Sequence, residues 1–361
     1  MAMRYVLIMA GGSGKRLWPL SRQGEPKQLL TLIEGKSLLR IAYERVQGFV
    51  PDSNIIICTG ASYADTVAAQ LPEIPAENML GEPEGRDSLN AVAWSAAVIA
   101  TRDPGAVMAV LTADHIMDEV DVFQQRLDEG FTLAEQHADA FVTFGVVPTS
   151  PQTGFGYLHR GARVEGFEHA YQVQEFKEKP DAETAAAYLA TGEYWWNSGM
   201  FVWRAETLLG TVAALQPQTH SLVRELAAHP ERLASIFPRL PKISVDYAVM
   251  EPVSAGTVEG RVIAIELPIR WHDVGSFLAL AGQLDHDADG NAATGTTVSL
   301  DAANNLLINR GGAEHVLAVA DIENMAVITT PHATLVIPLD QSERVKDLVA
   351  RVVEAHGERH G

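Results

Sequence analysis

The chain has 361 residues, of which 47% are hydrophobic and 20% charged, a composition typical of a soluble globular protein. Its formal net charge of −19 would repel a polyanion, so we expect no nucleic-acid partner. No stretch approaches the ~20 continuous apolar residues of a membrane span, and the first apolar run is too short for a secretory signal, so we expect a cytoplasmic protein with no membrane partner.

The first half of the chain alternates between short apolar runs and segments with helical spacing. The apolar runs, which we interpret as buried strands, are Tyr5–Ala10, Asn54–Cys58, Ala106–Leu111 and Ala140–Val146. The segments with helical spacing are Ser37–Val46, Ser62–Leu71, Ser88–Ala100 and Val122–His137. This rhythm predicts an α/β fold with a doubly wound, mixed but mainly parallel sheet, whose ligands lie outside the carboxyl ends of the strands.

The middle of the chain is predicted to contribute further elements of both kinds. Strands are predicted at Tyr157–His159, Tyr171–Phe176, Asn197–Trp203 and Val258–Leu267. Helices are predicted at Ala182–Leu189, from near Ala205, within Gln216–Pro241 and at Ser276–Leu284.

A change of composition at the acidic, glycine-containing stretch Asp285–Asn291 predicts a linker. Short β-like runs follow it at Thr296–Leu300, Asn305–Ile308, Val316–Val319, Met325–Thr329 and Thr334–Pro338. A final helix is predicted over Ser342–Glu354, with Ser342 as its cap. We therefore predict a large domain over residues 1–285 and a small β-rich, β-helix-like domain over 291–361 that ends in a helix.

A glycine-rich, cationic loop follows the first predicted strand. Residues 11–16 are Gly-Gly-Ser-Gly-Lys-Arg. Glycines let backbone N–H groups approach phosphate oxygens closely, and Lys15 and Arg16 add positive charge. With Arg22 and Lys27, four cations lie within residues 15–27 of an acidic chain. This pattern predicts a triphosphate-binding loop.

Two common phosphate motifs do not fit this loop. A P-loop requires Ser or Thr after Gly-Lys, where this chain has Arg16, and a first Gly where it has Met9. The dinucleotide fingerprint requires a Gly where Leu17 stands. The loop therefore belongs to another class of phosphate site.

The longer string Gly-Gly-Ser-Gly-Lys-Arg-Leu-Trp-Pro-Leu-Ser-Arg at 11–22, followed by Pro-Lys-Gln-Leu-Leu at 26–30, resembles the signature of sugar nucleotidyltransferases. Within them it is most similar to the mannose-1-phosphate guanylyltransferases. Six further segments match in the same order, at residues 111–115, 153–158, 176–180, 196–201, 244–251 and 271–276. The resemblance covers residues 5 to about 280. It implies a Rossmann-like nucleotidyltransferase fold for residues 1–285, with a catalytic role for that domain.

The resemblance implies transfer of GMP from GTP to mannose 1-phosphate, which forms GDP-mannose and pyrophosphate. The sugar-phosphate oxygen would attack the α-phosphorus in line, so catalysis would depend on positioning and on charge stabilisation. The implied catalytic residues are Arg16, Lys27, Asp114 and Asp273. Asp114 and Asp273 are also the implied ligands of Mg²⁺ or another divalent cation.

The resemblance also assigns the residues that hold the two substrates. The implied nucleotide-binding residues are Ala10, Gly11, Gly12, Ser13, Gly14, Lys15, Arg16, Arg86, Asp87 and Ser88. The implied sugar-phosphate-binding residues are Gly156, Glu178, Lys179 and Asn197. One departure concerns the base: many family members have Arg-Asn-Thr where this chain has Arg-Asp-Ser at 86–88. The Asp–Ser pair can still cap the helix that follows.

Alternatives remain open at this point. The same residues would serve another hexose 1-phosphate with another triphosphate, and a non-catalytic regulatory subunit would keep the fold. The presence of all the implied cations and carboxylates favours an enzyme. Longer family members carry an isomerase domain, for which the β-rich tail is too short, so we expect guanylyltransferase activity alone. The tail is a plausible dimer contact, and we expect a homodimer.

Overall fold

The computed structural model describes residues 2–12, 14–22 and 24–360. The chain divides into two compact units. The first contains Met1–Gly11, Ala42–Ala113 and Met117–Trp271, and the second contains Gly12–Ile41, Asp114–Ile116 and His272–Gly361. These units divide the chain differently from the predicted domains 1–285 and 291–361. The units describe which residues pack together, whereas the independent folding of the two predicted domains stays a prediction.

The described residues form strands along the whole chain. In chain order they are β1 Arg4–Ala10, β2 Thr31–Ile33, β3 Lys36–Ser37, β4 Ile55–Gly60, β5 Met79–Glu82, β6 Val107–Thr112, β7 His115–Met117, β8 Ala140–Val146, β9 Tyr157–Arg163, β10 Ala170–Lys177, β11 Tyr194–Arg204, β12 Arg261–Glu266, β13 Trp271–Asp273, β14 Ala292–Thr294, β15 Thr297–Leu300, β16 Leu306–Asn309, β17 Leu317–Ala320, β18 Met325–Thr329 and β19 Thr334–Pro338.

The α-helices of the described residues alternate with these strands in the first unit. In chain order they are α1 Leu38–Glu44, α2 Ala64–Gln70, α3 Ser88–Arg102, α4 Val120–Gln136, α5 Ala182–Thr191, α6 Ala205–Leu215, α7 Pro217–Ala228, α8 Leu233–Ile236, α9 Glu251–Ser254, α10 Phe277–Ala281 and α11 Val345–His356. None of them is long and apolar enough to cross a membrane.

The first unit is built on a nine-stranded sheet in the order β5-β4-β1-β6-β11-β8-β12-β10-β9. β1 lies parallel between β4 and β6, and its apolar residues are buried because a central parallel strand is covered on both faces. β11 runs antiparallel to β6 and β8, and β9 and β10 are also antiparallel to their neighbours. The mixed α/β sheet is therefore confirmed, with parallel pairs around β1 and between β8 and β12.

Helices cover both faces of this sheet. α3, α6 and α7 pack together, and Phe201 and Trp203 of β11 belong to the core cluster that contains α3. Val202 lies between Phe201 and Trp203 in β11, and it faces Gly130 of α4. Successive residues of a strand point to opposite faces, so α4 covers the other face of the sheet. The doubly wound arrangement follows from these contacts.

The second unit contains short parallel strands and the last long helix. β14, β16 and β18 pair in parallel, β15 pairs in parallel with β17, and β19 closes the first of these sheets in the antiparallel sense. Inward residues of β14, β16, β18 and β19 form one core with Leu17, Phe277 and Val345. This core joins residues that directly follow the glycine-rich loop to residues near the end of the chain.

The predicted start of the last helix is wrong. α11 begins at Val345, after a 3₁₀ turn over Leu339–Arg344 that includes Ser342. Leu339, Ser342 and Val345 are all buried and lie three residues apart, which is the repeat of a 3₁₀ turn. The side of the 3₁₀ turn that carries Ser342 is therefore buried, which explains why Ser342 lies inside the turn and does not cap the helix.

The predicted linker near Asp285 contains an ordered turn. The Asp287 carboxylate accepts hydrogen bonds from the N–H groups of Asp289 and Asn291 at 3.0 and 2.8 Å. Asn291 is buried and donates its side-chain amide to the carbonyl of Ala302 at 2.8 Å. The stretch lies within the second unit.

Candidate active site

The second unit brings Lys27, Asp114 and Asp273 together. The Lys27 ammonium lies 2.7 Å from an Asp114 carboxylate oxygen and 3.8 Å from one of Asp273. It also donates to the carbonyl of Val274 at 3.4 Å. The Asp114 carbonyl accepts from the N–H of Val274 at 3.2 Å, so a backbone hydrogen bond connects the two chain segments that carry the carboxylates.

The glycine-rich loop determines where Lys27 lies. Gly14 has a left-handed conformation with φ of 58°, and a Cβ atom there would lie 2.9 Å from the Cβ of Lys27. Only glycine combines this conformation with so close an approach. The Ser21 hydroxyl holds the loop by donating to the Gly14 carbonyl at 2.5 Å. The loop and Lys27 are therefore packed as one piece.

The charges of this cluster stabilise one another. Burial by itself lowers the pKa of Lys27, but the charges of Asp114 and Asp273 outweigh it, and the pKa is raised overall. Burial by itself raises the pKa of Asp114, but the charge of Lys27, the charge of His115 and the hydrogen bond from Lys27 together outweigh it and hold the pKa below its ordinary value. Lys27 and Asp114 are therefore both charged at neutral pH, and Lys27 is almost fully buried.

The two carboxylates fit a divalent cation. They already converge on one cation, the Lys27 ammonium, and ligand atoms of Asp114, His115 and Asp273 lie within 4.8 Å of one another. Carboxylate oxygens are the ligands that Mg²⁺ prefers, and it commonly takes only one or two from the protein. His115, the residue after Asp114, is buried and belongs to this group.

Arg16 lies in the same unit but makes a different contact. It belongs to a 3₁₀ turn over Lys15–Leu17. Its guanidinium lies 3.2 Å from a Glu343 carboxylate oxygen and 3.4 Å from the position that a Cβ of Gly275 would occupy. Arg16 is about half exposed, so it is available to an anionic ligand. The sequence offered no signal for Glu343, which lies in the C-terminal segment.

The first unit contains a buried carboxyl beside the end of β1. A Cβ atom on Gly11 would lie 3.5 Å from a carboxylate oxygen of Glu82, the last residue of β5. Burial raises the pKa of Glu82 to about 7. Ala10, the residue before Gly11, is buried in β1. Glu82 lies four residues before Arg86, and the sequence did not assign it a role.

Arg86, Asp87 and Ser88 have partners within the first unit. The Arg86 guanidinium donates to the carbonyl of Leu240 at 3.1 Å. Asp87 caps α3 and accepts from the N–H of Ser88 at 2.9 Å, as the sequence predicted, and it has a φ of 68°. The Ser88 hydroxyl accepts from the N–H of Val245 at 3.0 Å. These contacts shape the loop, and nucleotide binding by the three residues stays a prediction.

A second polar cluster in the first unit contains the predicted sugar-phosphate residues. The Asn197 N–H donates to the Gly156 carbonyl at 2.8 Å, which joins the two matched motifs. A Cβ atom on Gly156 would lie 2.5 Å from a Glu178 carboxylate oxygen, so only glycine allows this approach. The Thr143 hydroxyl donates to the Asn197 side-chain oxygen at 2.9 Å and fixes the orientation of that amide.

Lys179 is held at this cluster in a strained conformation. Its ammonium donates to Glu178 at 2.7 Å, and its φ is 45°, which is rare outside glycine and clusters at functional sites. Burial by itself lowers the pKa of Lys179, but the hydrogen bond and charge of Glu178 outweigh it, and the pKa is raised. Half of the Lys179 side chain is exposed, so its charge faces solvent and an incoming anion.

Asp246 completes this cluster and was missed as a site residue. The Asn197 side-chain amide donates to it at 3.0 Å. Burial, and then the charge of Glu178, raise the pKa of Asp246 to about 7. It begins a π-helical turn over Asp246–Met250, a feature often found at functional sites. The sequence did carry a signal, because Asp246 is one of the two carboxylates in the matched motif at 244–251.

The predicted site residues thus fall into local groups within each unit. Lys27, Asp114 and Asp273 meet in the second unit, where Gly12, Gly14, Lys15 and Arg16 also lie. Gly156, Glu178, Lys179 and Asn197 meet in the first unit, where Ala10, Gly11 and the 86–88 segment also lie. Ser13 lies outside the described residues.

A family model described as nucleotidyl transferase matches residues 5–289. A mannose-1-phosphate guanylyltransferase of Escherichia coli is 37% identical over 355 residues, which cover 95% of this chain and 72% of that protein. A Klebsiella pneumoniae protein with the same description has the same identity and coverage.

Among solved structures, a Thermus thermophilus protein described as a mannose-1-phosphate geranyltransferase superposes with a TM-score of 0.84. It is 32% identical, and the match covers 97% of this chain and 99% of that one. The match therefore extends over both units of the chain.

Proposed function

We propose that this chain, which belongs to the nucleotidyl transferase family and to its mannose-1-phosphate guanylyltransferases, transfers GMP from GTP to mannose 1-phosphate. A phosphate oxygen of mannose 1-phosphate attacks the α-phosphorus of GTP. The bond from that phosphorus to the bridging oxygen breaks, and pyrophosphate leaves with the electron pair. The convergence of Asp114 and Asp273 on the Lys27 ammonium is the observation that carries this proposal, because it places one cation and two metal-binding carboxylates together.

The second unit supplies the groups for the triphosphate. Mg²⁺ held by Asp114 and Asp273, with His115 beside them, would neutralise phosphate charge at the reacting centre. Lys27 supplies a buried positive charge to the phosphates, where a low dielectric strengthens it. Arg16 binds the triphosphate tail and the leaving pyrophosphate, and the backbone N–H groups of Gly12 and Gly14 contact phosphate oxygens.

The first unit supplies the groups for the sugar phosphate and the base. Lys179 binds the phosphate of mannose 1-phosphate, and Glu178 and Asn197 bind sugar hydroxyls. Glu82 accepts hydrogen bonds from the Watson–Crick edge of guanine, which carries two neighbouring N–H donors where adenine has an acceptor. The burial of this carboxyl at the end of β5, beside Gly11 of the glycine-rich loop, supports the assignment.

We also propose a homodimer through the β-rich part of the second unit. Val298, Leu300, Val316 and Val336 are large apolar side chains that are all more than half exposed on or beside β15, β17 and β19. Burial of such a surface by a second copy would be favourable. We interpret the parallel strands that carry it as a short β-helix-like stack, supported by the two parallel sheets β14-β16-β18 and β15-β17.

A pyrophosphate-release assay over four nucleoside triphosphates and several hexose 1-phosphates tests the activity. We expect the highest kcat/KM for GTP with mannose 1-phosphate, and no release without a divalent cation. A higher kcat/KM for another pair would refute the substrate assignment, and no release with any pair would refute the enzyme.

The Glu82→Gln variant tests the base. We expect it to lose about tenfold or more in kcat/KM for GTP, since an amide cannot accept both guanine donors in the same way. The exposed Glu77→Gln change on the turn before β5 is the matched control. An unchanged ratio of GTP to ATP use in Glu82→Gln would remove Glu82 from base selection.

A further inference from the structure

A cavity of about 650 Å³ in the second unit is lined by none of the proposed catalytic residues. It contains three residues of the family string at 11–22 that the proposed chemistry does not use: Trp18, Pro19 and Arg22. A volume of this size is typical of sites for small organic ligands. These three motif residues therefore need a role other than the proposed transfer reaction, and the cavity that they line offers one.

Two arginines and three histidines line this cavity. They are Arg22, His332, His356, Arg359 and His360. None of the described residues in the lining is acidic, although the chain carries 46 Asp and Glu against 27 Lys and Arg. Such a lining runs against the average charge of the protein and attracts an anion.

The internal contacts of the two arginines leave N–H donors for a ligand. Arg22 pairs with Glu25 at 2.8 Å, which uses its Nε. Arg359 donates its Nε to the ring of His360 at 3.0 Å, a contact that does not neutralise the guanidinium. Each of these guanidinium groups has further N–H donors in a fork that suits phosphate oxygens.

Trp18 fixes the C-terminal wall of the cavity. Its indole N–H donates to the carbonyl of His360 at 2.8 Å, and the rings of His356 and His360 lie 6.2 Å apart. The tail that carries Arg359 is therefore attached to the glycine-rich loop segment by a hydrogen bond from a buried side chain. The remaining walls are proline and aliphatic side chains, which suit the organic part of a ligand.

We propose that this cavity is a second anion site, which binds an organic phosphate such as a sugar phosphate or a nucleotide. The cations take the phosphate group, and the apolar walls take the sugar or nucleoside. Inorganic phosphate alone would fill only a small part of the cavity. The site is independent of the transfer reaction proposed above, since it uses none of the residues assigned to that reaction.

Isothermal titration calorimetry on the full chain tests the proposal. The probes are inorganic phosphate, mannose 1-phosphate and GDP, and the variants are Arg359→Gln and His356→Gln. The matched control is Arg351→Gln, an exposed arginine of α11 outside the cavity lining. Binding at the catalytic residues is common to all four proteins, so the difference between them reports the cavity alone.

We expect one binding event for an organic phosphate to weaken about tenfold or more in Arg359→Gln and to weaken in His356→Gln. We expect that event to be unchanged in Arg351→Gln, with wild-type melting temperature and basal turnover in all variants. Identical binding of every probe by all four proteins would overturn the proposal. Cavity binding of inorganic phosphate as tight as that of mannose 1-phosphate and GDP would also overturn it, because the organic part would then not be recognised.

Discussion

Arg16 and Glu343 form an ion pair at 3.2 Å, although they lie at opposite ends of the chain. Both side chains are about half exposed, and exposed ion pairs contribute about 0.2–1 kcal/mol. The Glu343 carboxylate accepts from Nη1 of Arg16 and offsets its charge, which weakens the attraction of this guanidinium for a triphosphate. Glu343 is thus a competitor for the residue that we assign to the triphosphate tail.

Glu343→Gln should tighten GTP binding, because the variant removes the competing carboxylate. A contribution of this size corresponds to a decrease in the GTP Kd of about 1.4- to fivefold. Equilibrium titration at low salt measures it, with the exposed Glu354→Gln of α11 as the control. A weaker affinity for GTP in Glu343→Gln would show instead that the carboxylate positions Arg16 for binding.

Asp273→Asn should abolish most turnover while the fold remains. The amide cannot supply the negative charge that a divalent cation needs, and we expect kcat to fall about 100-fold or more. Steady-state kinetics with varied Mg²⁺ measures the loss of turnover, and a thermal melt checks that the fold remains. The exposed Asp285→Asn change is the control. Near-normal activity of Asp273→Asn would remove this residue from the metal site.

Lys179→Ala should mainly weaken the use of mannose 1-phosphate. Loss of a charge-assisted contact to phosphate predicts an increase in the KM for the sugar phosphate of about tenfold or more, with the KM for GTP unchanged. The exposed neighbour Lys177→Ala is the matched control. If only the KM for GTP changed, the assignment of Lys179 to the sugar side would be wrong.

Asp246→Asn should stabilise the protein at pH 8 and have little effect on stability near pH 4. The folded chain raises the pKa of Asp246 from an ordinary value of 3.8 to about 7. Between these values the unfolded chain releases a proton that the folded chain keeps, so the ionisable group increasingly disfavours folding as the pH rises. At pH 8 the full cost is present, and Asn removes it.

Thermal melts of wild type and Asp246→Asn across pH 4–8 measure this effect. We expect the difference in Tm to grow with pH and to reach roughly 2–4 °C for each kcal/mol gained. The control is Asp285→Asn, whose difference from wild type should not grow in this way. A constant difference across the range would mean that Asp246 keeps its ordinary pKa.

The sequence patterns anticipated most of the first unit. The strand at 140–146 has the predicted ends, and the strands around β1 differ from prediction by a few residues. These elements are continuous apolar runs or have clear helical spacing, and their local pattern matches their burial in the sheet. The start of α11 was missed, since a row of three buried residues extends a 3₁₀ turn through Ser342.

The sequence by itself determined the family and the candidate residues, because the motifs that carry Lys27, Asp114 and Asp273 are local strings with a fixed order. Only the tertiary structure decided that the buried Lys27 ammonium lies near the carboxylates of both Asp114 and Asp273, since these residues are far apart in the chain. The same is true of Glu343 beside Arg16. Such contacts depend on how distant segments share one core, and no local pattern records that packing.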